Sequence, residues 1–122
     1  MKPDNICVGD YLSIKTLHKL KLIDFGLATP FEAYDSSTEK NQHIKCIADK
    51  AFNKGNLAFS SKNVFNKLPT TRRDDLISLV YLLTYFSSGK LAFVRPNRAI
   101  EEQYTLIKRK KNEYSAYKLC FL

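Results

Sequence analysis

Two stretches decide the fold of this chain, Met1-Lys2-Pro3-Asp4-Asn5 and Leu22-Ile23-Asp24-Phe25-Gly26. Asp24 lies nineteen positions after Asn5. The amide of Asn5 and the carboxylate of Asp24 are oxygen ligands of the kind that hard divalent cations prefer. Lys2 adds a positive charge suited to phosphate. Each motif alone is typical of an ordinary surface turn, because Pro, Asn, Asp and Gly are common turn residues. The two together, in this order, indicate a site for a metal ion and a phosphate group.

The residues between the two motifs predict a β-hairpin. Apolar residues alternate with others at each end of the interval, which predicts short strands at residues 6 to 8 and 20 to 22. A hairpin would hold Asn5 and Asp24 near each other. The connection from Gly9 to about His18 is longer than a tight turn requires, so a surface insertion is expected there.

The two motifs resemble the catalytic-loop and Asp-Phe-Gly motifs of protein kinases, and the second half of the chain resembles the casein kinase 1 family of serine/threonine kinases. Thr71-Arg72-Arg73-Asp74-Asp75-Leu76 is similar to the start of that family's Arg-Arg-Asp-Asp-Leu helix. Residues 55 to 63 resemble the segment that this family carries where other kinases have Ala-Pro-Glu. Gly89-Lys90-Leu91-Ala92-Phe93 parallels its Gly-Ser-Leu-Pro-Trp. The resemblance spans roughly residues 2 to 120.

The resemblance implies a function and a set of site residues. An intact kinase of this family transfers the γ-phosphoryl group of Mg-ATP to a protein serine or threonine. Lys2 would contact phosphate as a catalytic and cofactor-binding residue, and Asn5 and Asp24 would bind ATP-bound Mg²⁺. Asp75 would brace the backbone of the catalytic loop. The general base would lie five residues before Asn5, at a position that precedes Met1, so the chain alone is expected to be inactive.

The expected fold class is α+β and mainly helical, a partial kinase C-lobe with a short β-hairpin and a buried central helix. Residues 1–26 would form the catalytic loop and metal-binding hairpin, 27–63 the activation segment, and 71–122 the C-lobe helices. Apolar residues run almost without interruption from Asp75 to Phe86, so this helix is expected to be buried on most sides. Thr71 and Asp74 have the spacing of a capping box. Because the chain stops before the helices that would cover the central one, we expect open apolar surface.

The net charge of +8 raises the question of a nucleic-acid partner. Residues 1–61 hold eight basic and seven acidic side chains, and residues 62–122 hold twelve and five, with the densest run at Lys108 to Lys111. A solvated helix face is favoured for this run over phosphate-backbone binding or a nuclear-import signal, because no nucleic-acid-binding motif accompanies it. Protein substrates are the expected partners, together with self-association through exposed apolar surface. The alternative function is a non-catalytic kinase remnant that binds other proteins.

Cysteine usage and segment length bear on location. The three cysteines are scattered and no secretory signal precedes them, which indicates reduced thiols in an intracellular protein, cytoplasmic or nuclear. The apolar stretch before Phe86 is too short to cross a membrane. No metal-ligand spacing links His18 or His43 to other ligand residues, so the candidate metal ligands are Asn5 and Asp24 alone.

Overall fold

The described residues form two small antiparallel sheets and five α-helices, which confirms the predicted α+β class. A computed structural model of the chain describes residues 1–10, 12–44, 56–95 and 97–120. The elements in chain order are a 3-10 turn Pro3–Asn5, β1 Ile6–Val8, α1 Ile14–Leu17, β2 Leu20–Leu22, β3 Glu32–Asp35, β4 Lys40–His43, α2 Lys62–Phe65, α3 Arg72–Ser88, α4 Ile100–Glu113 and α5 Ala116–Cys120.

The predicted hairpin is confirmed, and a glycine shapes its connection. Strands β1 and β2 pair antiparallel, with Ile6 opposite Leu22. The N–H of Gly9 donates to the Lys19 carbonyl at 2.8 Å. A Cβ at Gly9 would lie 1.9 Å from the Thr16 carbonyl oxygen, so only glycine fits where these two backbone segments approach each other. The long connection forms helix α1 and returns the chain to the sheet.

A second hairpin, β3–β4, lies in the region expected to be an activation segment. The strands pair with Asp35 opposite Lys40. Asp35 accepts hydrogen bonds from the Ser37 hydroxyl at 2.6 Å and from Gln42 Nε2 at 2.7 Å. The hydroxyl and the backbone N–H of Ser37 lower the pKa of the Asp35 carboxyl. The sequence did not predict these strands, because their residues are mostly polar and exposed and show no alternation. Within this region, residues 45–55 lie outside the described residues.

The hydrophobic core lies in the second half of the chain. Its members are contributed by the segment before α2, by helices α2 to α5 and by the loop after α3: Phe59, Phe65, Tyr81, Leu82, Leu91, Phe93, Ile107 and Leu119. The rings of Tyr81 and Phe93 meet edge to face with centroids 5.3 Å apart. Met1 and Ile6 pack against this core, so the first hairpin is attached to it.

Helix α3 is buried on one face only, so the expectation that it is buried on most sides is wrong for this chain. Its buried residues are Asp74, Ser78, Tyr81 and Leu82. On the opposite face Leu76 and Leu83 are 63% and 58% exposed, because the described elements that pack on α3 lie on the buried side. The open apolar surface that was expected is therefore present. In the part of the chain that the structure covers, α3 and the other helices are all too short or too polar to cross a membrane.

Candidate functional site: an amide and a carboxylate at the base of the first hairpin

Asn5 and Asp24 lie side by side, at the two ends of the first hairpin where its strands meet the flanking chain. The Nδ2 atom of Asn5 donates a hydrogen bond to Oδ2 of Asp24 at 3.3 Å. The backbone N–H of Ile23 donates to the Asn5 carbonyl at 2.9 Å. The pairing of β1 with β2 therefore continues into the candidate site and brings together two residues nineteen positions apart.

Local backbone conformation directs both side chains. Pro3 begins a 3-10 turn that ends at Asn5, and the Asn5 N–H donates to the Lys2 carbonyl at 3.1 Å. Asp24 has a left-handed backbone conformation with φ of 64°, which aspartate tolerates better than most residues. The chain turns sharply at Asp24 just after β2, and this turn leaves its carboxylate beside the amide of Asn5.

The donor set fits a magnesium ion that carries a phosphate ligand. Mg²⁺ is usually held by one or two protein oxygen groups, with water and substrate phosphates filling the remaining positions. Rotation of the Asn5 amide by half a turn presents its oxygen on the side of the Asp24 carboxylate. Among residues 1–10, 12–44, 56–95 and 97–120, no group of three or more His, Cys, Asp and Glu side chains is arranged to hold a metal.

Lys2 lies at the start of the same turn. Its Nζ is 4.0 Å from Oδ2 of Asp4, and the two side chains are 40% and 76% exposed. Exposed pairs at this separation contribute little to stability, so Asp4 holds the Lys2 ammonium only weakly.

Asp75 lies apart from these residues. It is exposed in the first turn of α3, and in the described chain it forms no hydrogen bond or ion pair with Lys2, Asn5 or Asp24. Of the sequence-predicted site residues, the structure brings Asn5 and Asp24 together, and Lys2 lies three positions before Asn5 along the chain. The metal-binding, phosphate-binding and bracing roles stay predictions.

Of the two adjacent acids Asp74 and Asp75, the buried one is Asp74, for which the sequence predicts only a helix-capping role. Its carboxylate accepts hydrogen bonds from the Ser61 hydroxyl at 2.6 Å, Asn63 Nδ2 at 2.9 Å and the Thr71 N–H at 2.7 Å. The last bond confirms the predicted capping interaction. Burial alone would raise the pKa of Asp74, but these bonds and the nearby Arg73 guanidinium outweigh it and hold the pKa below its ordinary value. Asp74 thus anchors residues 61 to 63 to α3.

Lys111 is, with Asp74, the second charged residue whose burial the sequence did not predict. The run from Lys108 to Lys111 was expected to be solvated, and this is wrong for Lys111, whose side chain is 1% exposed. Burial lowers its pKa to about 7. The signal was helical spacing: Tyr104 and Ile107 precede Lys111 by seven and four positions on α4, so all three share the inward face.

The amino-acid sequence of the chain was compared with those of known proteins. No protein-family model matches the chain. The chain is 31% identical over 121 residues to a protein of Encephalitozoon cuniculi (strain GB-M1) described as "Probable casein kinase I homolog", an alignment that covers 98% of this chain and 34% of the relative. The chain therefore spans about a third of the length of the curated relative it matches. The resemblance drawn from its motifs is confirmed, and the chain is a casein-kinase-I-like sequence across nearly all of its residues.

Proposed function

We propose that the chain forms part of the C-lobe of a serine/threonine kinase of the casein kinase 1 type, which in intact form transfers the γ-phosphoryl group of Mg-ATP to proteins. The observation that supports this most directly is the hydrogen bond of 3.3 Å from Asn5 Nδ2 to Asp24 Oδ2. It occurs in a chain that aligns with a casein kinase I homolog over 98% of its length. Residues 1–26 then form the catalytic loop and metal-binding hairpin, 27–63 the activation segment and 71–122 the C-lobe helices. An intracellular location is part of the same proposal.

The roles of the site residues follow from charge. Bound Mg²⁺ would neutralise the negative charge of the triphosphate during transfer. Asn5 and Asp24 would hold that ion through their oxygen atoms, and Lys2 would contact a phosphate oxygen. Under this assignment all three side chains are engaged with the metal ion and the phosphate, so removal of the proton of the acceptor hydroxyl needs a base elsewhere in the intact protein.

Magnesium-dependent ATP binding by the chain tests this proposal. We expect weak binding that disappears when EDTA removes the metal, and Asp24→Ala should weaken it about tenfold or more, since a contact to a charged group contributes about 1.5–3 kcal/mol. Chemical-shift titration with ATP, with and without Mg²⁺, measures both effects. Asp10→Ala is the matched control, because Asp10 lies beyond the far end of β1 and is exposed. ATP binding that survives EDTA and Asp24→Ala alike would refute the site.

A second expectation concerns substrate choice in the intact kinase. Family members favour primed or acidic substrates through an arginine at the position of Ala58 and a basic stretch at the start of the later helix. Here that helix, α4, opens with Glu101 and Glu102 in its first turn, and Glu102 pairs with Arg98 at 3.6 Å. An anion site without fixed cations loses its charge-assisted hydrogen bonds, so we expect no preference for phosphorylated substrates.

Kinetics on matched peptides measure this preference. The kcat/KM values for a peptide and its phosphorylated counterpart should agree within about threefold, because no charged contact of about 1.5–3 kcal/mol separates them. Ala58→Arg should restore a bias toward the phosphorylated peptide. A strong bias in the unmodified kinase would be the contrary result.

The open face of α3 favours a second candidate function, a module that binds through apolar contact. Leu76, Leu83 and Phe86 are 63%, 58% and 52% exposed along one helix. Each large apolar side chain contributes about 1.5–3 kcal/mol when it is buried, so a partner that covers this face would be held by several of them. In isolation the chain is expected to self-associate through it.

Light scattering coupled to size exclusion tests the self-association. We expect oligomers or a broad distribution of masses for the unmodified chain, and a shift toward monomer for the double variant Leu76→Lys with Leu83→Lys. Leu12→Lys is the control, since Leu12 is 79% exposed but lies in the insertion of the first hairpin. A compact monomer with a sharp cooperative melt would exclude this candidate.

A further inference from the structure

The Lys111 ammonium donates hydrogen bonds to three backbone carbonyls of one short segment. Its Nζ lies 2.9 Å from the Leu57 oxygen and 2.7 Å from the Ala58 oxygen, and it also bonds the Ser60 oxygen. An ammonium has three N–H donors. All three are used, and all three acceptors belong to residues 57–60, which lie more than fifty positions earlier in the chain.

Three aromatic rings surround the same ammonium. The ring centroids of Phe65, Tyr81 and Phe93 lie 5.1, 4.6 and 5.0 Å from Nζ. A ring face attracts a cation at such distances, and the attraction grows where water is excluded. The rings come from α2, α3 and the loop that follows α3, so the cage is built by three separate parts of the core around one charge. This arrangement favours the charged form of Lys111, whereas burial opposes it.

The local hydrogen bonds of the segment held by Lys111 run back to Asn56, whose side-chain oxygen accepts from the Ala58 N–H and whose carbonyl accepts from the Ser60 hydroxyl. The segment's regular backbone bonds are two turn contacts, from the N–H groups of Phe59 and Ser60 to the Asn56 carbonyl. Buried carbonyls need donors, and a strand or helix would supply them from neighbouring backbone. Here a side chain supplies them. Asp74 bonds Ser61 and Asn63 immediately afterwards, so the stretch from residue 57 to 63 is fixed by a cation of α4 at one end and an anion of α3 at the other.

We propose that Lys111 is a positioning residue that sets the backbone conformation of residues 57–60 by satisfying their three inward carbonyls with one ammonium. Under the proposed function, on which this part of the inference rests, that segment carries Ala58, the position where family members bear an arginine for primed substrates. Methionine at position 111 would fill a similar volume but remove the ammonium donors of three half-buried carbonyls. Arginine would keep the charge and offer donors in a planar fork.

Amide hydrogen exchange on the whole chain at pH 6 tests the proposal. In Lys111→Met, protection of the amides of residues 58–61 should fall about tenfold or more, as expected when hydrogen bonds to a charge are lost, while the α3 amides of residues 79–82 change less than about threefold. Lys111→Arg should recover part of the protection in residues 58–61. Lys110→Met is the matched control, because Lys110 is the next residue of the run and faces the Tyr114 ring at 5.0 Å.

Two results would overturn the proposal. One is unchanged protection of residues 58–61 in Lys111→Met, and the other is an equal loss there and in α3, which would indicate general destabilisation.

A second measurement needs no variant: in trace acetylation of the unmodified chain, Lys111 should react at least about tenfold more slowly than Lys110, since it reacts only when the structure opens. Equal reactivity would also overturn it. None of these readouts involves ATP or phosphate transfer, so failure of the kinase proposal leaves the result interpretable.

Discussion

Replacing Asp74 by alanine is expected to lower the free energy of unfolding by at least about 1.5–3 kcal/mol, because hydrogen bonds to a charged group contribute about that much each. The substitution removes the acceptor of the Ser61 hydroxyl, the Asn63 amide and the Thr71 N–H. Among these donors the Ser61 hydroxyl is buried, and leaving it without a partner costs about 1–3 kcal/mol. Small domains are stable by only about 5–15 kcal/mol, so this single change should remove a large part of the stability of the chain.

The neighbouring acid provides the matched control for this measurement. Asp75 has the same chemistry in the same helical turn but is exposed. Asp75→Ala should change stability by no more than about 0.5 kcal/mol in this chain, as exposed substitutions usually do. Urea denaturation of both variants at pH 7 gives the comparison. Equal losses would show that the assignment of the buried anchor to Asp74 is wrong.

The same carboxylate should govern acid unfolding. Its pKa in the folded chain lies below the ordinary value, so the unfolded chain binds the proton more tightly. The stabilisation from Asp74 is therefore fully present above the unfolded pKa, about 3.9, and is lost as the pH falls through the lower folded value. Asp74→Ala should make the free energy of unfolding depend less steeply on pH below about 3.9. Asp75→Ala should leave that dependence unchanged. A curve for Asp74→Ala that remains as steep as that of the unmodified chain would contradict this assignment.

The approach of Asn5 to Asp24 was predictable from sequence, whereas the burial of Asp74 and Lys111 was not predicted. Asn5 and Asp24 lie next to short alternating strands whose pairing requires them to approach each other. The capping-box spacing from Thr71 distinguishes Asp74 from the adjacent Asp75, but the burial of Asp74 also depends on the position of residues 61 to 63 against α3. That position depends on contacts distant in sequence, which local patterns do not carry.

Lys111 and the second hairpin were missed for opposite reasons. A lysine within a run of four basic residues fits a solvated surface, although its helical spacing from Ile107 places it on the inward face. The strands β3 and β4 are mostly polar and exposed, and they are joined by a turn in which Asp35 binds Ser37. Hydrophobic periodicity reports burial, so it does not report a hairpin whose residues lie mostly in solvent.

The 122-residue polypeptide by itself is expected to transfer no measurable phosphate. In the family's pattern the general base lies five residues before Asn5, a position outside the 122 residues tested, and a positioned base typically contributes about 10²–10⁴ in rate. The chain also has four glycines, at positions 9, 26, 55 and 89, and none belongs to a phosphate-covering cluster. Without such a cover and an adenine pocket, ATP is not held in line with an acceptor, and the gain from orientation, about 7–11 kcal/mol of the barrier, is lost as well.

Radiolabelled ATP with casein and with a basic protein as acceptors measures this directly. We expect incorporation equal to that of a protein-free blank, for the unmodified chain and for Asp24→Ala alike, even at concentrations where magnesium-dependent ATP binding is detected. The two experiments together separate binding from chemistry, because Asn5 and Asp24 can hold a metal-bound phosphate without a base to activate the acceptor. Phosphate transfer above the blank that Asp24→Ala abolishes would show that the chain, through assembly of two or more copies, supplies the missing groups and is an enzyme in its own right.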